Sequence, residues 1–177
     1  GAAALLLQAH PDWTPETVKS ILMLGTFDLD LKPTDQGAGR IDLLKAYDVP
    51  ITISPPSFTF DLTQESEYSL PLTITNLDDG ELTLSFTVVI KDQNGQQRNF
   101  ATVNPQQLTI DGGKTGTATF SVDIPTGVEG FFQGYVLVLT RGNIYRVPLY
   151  FTKLSELTLN VENDGEVLMA DLFVHDN

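Results

Sequence analysis

The chain has 177 residues, 41% apolar and 19% charged, enough to bury a core in one medium domain or a small domain with appendages, and a composition that excludes disorder and fibrous repeats. Ten Lys and Arg against 23 Asp and Glu give a formal net charge of −13, a field that repels phosphate backbones and anionic headgroups and argues against a nucleic-acid partner. No apolar run approaches the roughly 20 residues needed to cross a bilayer, and with no Cys there is neither a disulfide framework nor thiolate chemistry, which leaves the compartment open.

Gly1 opens directly into Ala2-Ala3-Ala4-Leu5-Leu6-Leu7-Gln8-Ala9, a run of small or strong helix formers with no capping residue ahead of it. It reads as the middle of a buried helix. A signal peptide would need a basic segment before the apolar stretch, and none is present. A helix apolar all round needs neighbours on every side. The segment is therefore expected to have evolved inside a larger body, which leaves the head of this chain disordered, repacked on the rest, or held by a partner; poor order or an oligomeric contact is the expected outcome.

His10-Pro11-Asp12-Trp13 forms a turn, and Thr14-Pro15-Glu16 supplies a helix start: Thr as N-cap, Pro at the first helical position, an acid near the positive end of the dipole. Val18, Ile21, Leu22 and Gly25 follow at helical spacing, which predicts a helix from Pro15 to about Leu24. Asp35 to Arg40 reads as a Gly-rich loop, and Ile41 to Tyr47 as a short helix ending before Pro50.

From Ile51 the apolar period becomes two. Tyr68, Leu70, Leu72 and Ile74 alternate with polar residues, as do Leu82, Leu84, Phe86, Val88 and Ile90, and later Ala118, Phe120, Val122 and Ile124. Turns are expected at Asp78-Asp79-Gly80, Gln93-Asn94-Gly95, Asp111-Gly112-Gly113 and Arg141-Gly142-Asn143. Strands at this spacing with no helix between them predict an antiparallel β-sandwich of about seven strands over 50–153. Tyr135 to Leu139 is apolar on both faces and belongs at the centre of its sheet. Leu157 to Val161 and Val167 to Val174, around Asn163-Asp164-Gly165, offer two more strands, either a closing hairpin or the opening of a further domain.

Gly1-Ala2-Ala3-Ala4-Leu5-Leu6, followed by His10-Pro11-Asp12-Trp13-Thr14-Pro15-Glu16-Thr17-Val18-Lys19-Ser20-Ile21-Leu22-Met23, resembles the segment just after the nucleophile in subtilisin-like serine proteases. Gln36-Gly37-Ala38-Gly39-Arg40-Ile41-Asp42-Leu43-Leu44-Lys45-Ala46 resembles the closing segment of that catalytic domain. One departure is that Gly25-Thr26 runs into Phe27 where the family commonly has Thr-Ala after the second helix. Ser57 to Phe60, Leu72 to Asn76, Gly130 to Val136 and Val147 to Leu149 resemble, in order, strands of the fibronectin type III-like domain that often follows the protease domain. The resemblance implies three regions: 1–49 as the end of an α/β catalytic domain, 50–153 as a fibronectin type III-like sandwich, and 154–177 as an extra strand pair or the start of a further β domain. It also implies that the nucleophilic Ser, in a Gly-Thr-Ser-Met motif, would sit about two helical turns ahead of Gly1.

No catalytic or cofactor-binding residue is assigned in this chain. Ser-His-Asp chemistry needs a base within reach of an activated hydroxyl. His10 belongs to a surface turn, at a position that is not catalytic in the family, and His175 lies two residues from the C-terminus. Asp28, Asp30 and Asp35 are oxygen donors clustered within one loop, but their spacing fits no EF-hand; a solvated acidic loop is the favoured reading over a weak Ca²⁺ site completed elsewhere in a parent protein. Asn163, Asp164 and Glu166 read as turn chemistry. Gly37 and Gly39 neither follow a strand nor precede a Lys-Ser signature, so they form no phosphate cradle. Phe131, Phe132, Tyr135, Tyr145, Tyr150 and Phe151 could form a carbohydrate or peptide platform, but at strand spacing most should fill the sandwich, and Trp13 should pack under the turn between the first two helices.

The expected function is therefore the C-terminal part of a secreted subtilisin-like serine endopeptidase, extracellular or associated with the cell envelope, inactive alone. Its partners would be the protease domain and, through it, protein or peptide substrates, with no nucleic acid and no membrane insertion. The alternatives are an adhesion or carbohydrate- or protein-binding sandwich, which an aromatic row on one outer face would favour, and a structural spacer.

Overall fold

The computed structural model describes residues 1–63 and 65–154. Two helices lead: α1 (Ala2–Ala9) and α2 (Pro15–Leu24). The predicted cap is in place, Thr14 Oγ1 accepting from the Thr17 N–H at 3.2 Å, with Pro15 and Glu16 in the first turn. A short strand β1 (Thr26–Phe27) leads to α3 (Pro33–Gln36), then β2 (Arg40–Ile41) and α4 (Leu43–Tyr47). The last helix thus starts two residues later than expected. Arg40 and Ile41 pair antiparallel with Phe27 and Thr26, and Asp42 caps the helix by accepting from the Leu44 and Lys45 N–H groups. A cap residue with a β-region backbone stops the helical pattern from extending back to Ile41.

Ten strands follow, more than the seven expected: β3 (Ile51–Ser54), β4 (Phe58–Leu62), β5 (Glu67–Asn76), β6 (Leu82–Asp92), β7 (Gln97–Arg98), β8 (Ala101–Asn104), β9 (Gln107–Ile110), β10 (Thr115–Asp123), β11 (Gly130–Thr140) and β12 (Asn143–Lys153). The surplus comes from edge pieces of two to five residues, too short to carry a period-two signature. One sheet runs β3-β5-β10-β8; the other runs β4-β12-β11-β6-β7, with β9 also on β6.

The result is a mainly β sandwich with few helices. It is not wholly antiparallel, because β4 pairs parallel with β12, from Phe58 opposite Leu149 to Leu62 opposite Lys153. Between β3 and β4 lie Pro55 and Pro56, which have no N–H to give a ladder. The chain leaves one sheet there and joins the other.

Side chains alternate as the pleat requires. In β11, Phe132, Val136 and Val138 are fully buried, whereas Phe131 and Leu139 are exposed. The interior is rich in aromatic rings: Phe120 lies 5.0 Å from Phe58 and 6.3 Å from Phe60, and Phe151 stacks between Phe60 and Phe132. Phe132, Phe151 and Tyr145 are buried as expected. Asn76, fully buried, donates to the Gly80 and Ile110 carbonyls and accepts from the Asp78 N–H, so its own side-chain amide is fully used in anchoring the turn. β11 is central, between β6 and β12, as its two apolar faces predicted.

The head, residues 1–49, rests on the sandwich. Leu6, Val18, Ile21, Leu24, Ala46 and Val49 belong to the same apolar cluster as the sandwich interior. The head is folded and repacked on the rest of the chain, which corrects the expectation of poor order there: Leu6 and the inner faces of α2 and α4 find their cover on the sandwich. The predicted strands at 157–161 and 167–174, the turn residues Asn163, Asp164 and Glu166, and His175 lie outside the described residues.

Candidate functional site: the seam between head and sandwich

Polar side chains converge where the head crosses the outer face of the β12-β11-β6 sheet. Alternation in β11 and β12 turns Gln133, Tyr135, Arg146, Pro148 and Tyr150 to that face, and α3 with the loop before it covers them. Gln36 is the hub. Its Oε1 accepts from the Leu29 N–H at 2.8 Å, and its two amide hydrogens are shared among Asp28 Oδ1 (2.8 Å), the Leu31 carbonyl (2.8 Å) and the Tyr135 hydroxyl oxygen (2.9 Å). Tyr135 in turn donates to the Gly37 carbonyl at 3.0 Å.

Beside it, Gln133 Oε1 accepts from the Thr34 N–H (3.3 Å) and hydroxyl (2.9 Å). Arg146, largely buried, pairs with Asp28 at 3.2 Å, and its Nε has no partner among the described residues. On the other flank of the head, Ser20 of α2 donates to the Ile53 carbonyl at 3.0 Å and accepts from the Ile53 N–H at 2.8 Å. One hydroxyl thus occupies a backbone pair on the open edge of β3.

The electrostatics follow from this packing. Burial raises the Tyr135 phenol above its ordinary value; the Gln36 hydrogen bond works against that and the Asp28 charge adds to it, so the hydroxyl stays protonated as a donor. Burial also pushes Asp28 upward, but hydrogen bonds from Gln36 and the Asp30 N–H, together with Arg146, outweigh it and hold the carboxyl below the usual range.

The seam leaves a cleft of about 410 Å³ between the loop 30–33, the turn 92–95 and the sheet face. Its floor includes Gly134, where a Cβ would run into the Val89 carbonyl; only glycine lets β6 and β11 approach that closely. At one end Asp92 is buried and spent: Oδ1 accepts from the Asn94 and Gln96 N–H groups, both at 2.9 Å, and Oδ2 accepts from Arg98 Nε at 3.0 Å. Burial acts to raise its carboxyl, and these bonds hold it below the usual range.

The residues singled out in the sequence fall as follows. His10 stacks on Trp13 with ring centroids 3.9 Å apart and planes within 4°, in the turn expected of it, and Trp13 packs against the core beneath it. Asp28 serves the seam, while the Asp35 carboxylate lies in α3, 3.5 Å from the Thr34 hydroxyl; among the described residues no group of three or more His, Asp or Glu is placed to hold a metal ion. The outer-face aromatics amount to the exposed Phe131 beside the half-buried Tyr150 at 6.3 Å, rather than a row, because the head covers Tyr135. Gln36, Gln133 and Ser20 were not singled out by the sequence. The one trace of the seam was the second apolar face of 135–139.

Comparison with known proteins gives a partial likeness to subtilisin-like proteases. The chain is 26% identical over 159 residues to the minor extracellular protease Vpr of Bacillus subtilis (strain 168), covering 84% of this chain and 19% of that protein. It is 30% identical over 122 residues to the subtilisin-like protease SBT1.3 of Arabidopsis thaliana, covering 61% of this chain and 14% of that protein. The chain thus spans less than a fifth of the length of these relatives. No protein-family model matches it. In fold it is similar to the ASH/PapD-like domain of human CEP192, with a TM-score of 0.50 at 13% identity, covering 61% of this chain and 87% of that one. No helix among the described residues is long and apolar enough to cross a membrane.

Proposed function

We propose that this chain is the C-terminal part of a secreted subtilisin-like serine endopeptidase, with residues 1–49 closing the catalytic domain and the fibronectin type III-like sandwich acting as an accessory that stabilises that domain or positions protein substrates. The parental chemistry would be acyl transfer through a Ser activated by His, and none of the three triad members is assigned to this chain. The observation that carries the reading is the surface of the head. Leu5, Leu7, Phe27, Leu29, Leu31, Ile41, Leu44 and Tyr47 are all exposed within 49 residues, Leu44 at 83%. A soluble surface rarely concentrates large apolar side chains in this way unless another body covers them. Similarity to the two proteases adds support, and the extracellular assignment leans on the name of the bacterial relative.

The seam gives the accessory role a physical form. Because Ser20, Gln36 and Asp28 tie the head to the sandwich, a catalytic domain continuous with the head would be held at a fixed orientation to it. The test is to read the coding sequence upstream of Gly1 and express the whole product. The expected result is an Asp, a His and a Gly-Thr-Ser-Met motif in that order, and casein hydrolysis blocked by a sulfonyl fluoride, with residues 1–177 alone inert. A whole product with neither motif nor hydrolysis, or hydrolysis by residues 1–177 alone, would overturn the reading.

A further inference from the structure

The cleft at the seam has a chemistry that the proposed protease role does not use. Gln133 is only 7% exposed, and the donors from Thr34 fix its Oε1 as the acceptor, so its Nε2 is the donor left over; it has no partner among the described residues. Gln133 lines the cleft, and this donor is free to meet an acceptor from outside. Lys91 stands opposite Gln133 on the neighbouring strand, so the two share the outer face, and Lys32 comes from the loop across the cleft. Neither ammonium group has an ion pair or hydrogen bond among the described residues.

In a molecule of net charge −13 with ten cationic side chains, two unpaired ones line one cleft. Asp30 also lines it, whereas Asp92 is neutralised by Arg98, which leaves the cleft locally positive. Leu31 and Val89 supply apolar wall, and the cavity is of the size that takes a small ligand or a few residues of extended peptide.

The geometry points to this cleft as a binding site for an extended acidic-aliphatic peptide segment of a partner protein. The peptide carboxylate sits between Lys32 and Lys91, a peptide oxygen accepts from Gln133 Nε2, and an aliphatic side chain lies on Leu31 and Val89. The site is formed by residues 1–154 and needs no protease body to form; of its lining residues, Leu31 is shared with the exposed apolar surface of the head.

An NMR titration of the isotopically labelled full chain with acetyl-Val-Glu-Leu-Asp-amide tests it. The expected result is saturable shifts centred on the Gln133 side-chain amide, with no comparable binding of acetyl-Val-Gln-Leu-Asn-amide. Reversing both cleft cations (Lys32→Glu with Lys91→Glu) should weaken binding about tenfold. Lys19→Glu with Lys114→Glu, which changes net charge equally, should leave it within about twofold of the parent. Equal binding of the uncharged peptide, equal loss in the two double variants, the same shifts with sodium acetate alone, shifts centred elsewhere, or no saturation at millimolar peptide would each overturn the proposal.

Discussion

Of the twelve large apolar side chains exposed among the described residues, eight lie in the 49 residues of the head and four in the remainder, which is about twice as long. The sandwich closes on itself: two sheets present Leu72, Ile74, Phe120, Phe132, Val136, Val138, Val147 and Phe151 to one interior, each at or near zero exposure. The head has no interior of its own. Only Leu6 of α1 is buried, and apart from Ala38 the head's buried apolar residues, Leu6 included, join the cluster of the sandwich. A sheet pair can satisfy both its backbone and its apolar face, whereas helices of eight and ten residues depend on whatever they dock against. Stability and docking should therefore be separable by mutation.

The largest effect should come from the sandwich. Phe120→Ala removes a fully buried ring from the aromatic cluster and should cost about 3–5 kcal/mol in denaturant unfolding, taking the head with it. A head that keeps its protection from hydrogen exchange when the sandwich unfolds would have a core of its own, contrary to this expectation.

Ser20→Ala should act in the middle range. It leaves the edge N–H and C=O of Ile53 without their partner, worth about 1–3 kcal/mol, and the loss should fall on docking rather than on the sandwich. Amides of α2 should exchange faster while those of β10 and β11 do not change. Equal acceleration everywhere would mean that head and sandwich unfold as one unit.

The smallest effect should be the pH dependence of the seam. Asp28 is held below the ordinary carboxylate value of 3.8, so its contribution is present in full above that value and is lost as pH falls through the lower folded one. Asp92 has the same sign within the sandwich, so acid weakens both regions. Asp28→Asn isolates the head's share: the shifts of α3 and its preceding loop should lose part of their acid transition, while those of the 92–98 turn keep theirs. An unchanged transition in α3 would place the docking energy in Gln36 and Tyr135 instead of the ion pair.

Local pattern made the regular elements legible. Thr14-Pro15-Glu16 marks the start of α2 because cap, proline and dipole all act within one turn of chain, and alternation in Leu82 to Ile90 marks β6 because the pleat has a period of two. The edge strands β7, β8 and β9 were not legible, since two to four residues held from one side carry no period. The start of α4 was misplaced because Asp42, the cap, sits inside a run that otherwise reads as helix.

The seam was beyond the sequence for a different reason. Gln36 meets Tyr135 across 99 positions and Ser20 meets Ile53 across 33. A polar side chain carries no mark of which distant partner it will find, so that choice is made only when the two sheets have closed and the head has come down on them. What the residues determined by themselves was the kind of each long element and that the apolar run 2–7 needs cover. The tertiary structure decided where that head rests, which strand edge Ser20 occupies, and that the junction leaves a cleft with an amide donor facing it.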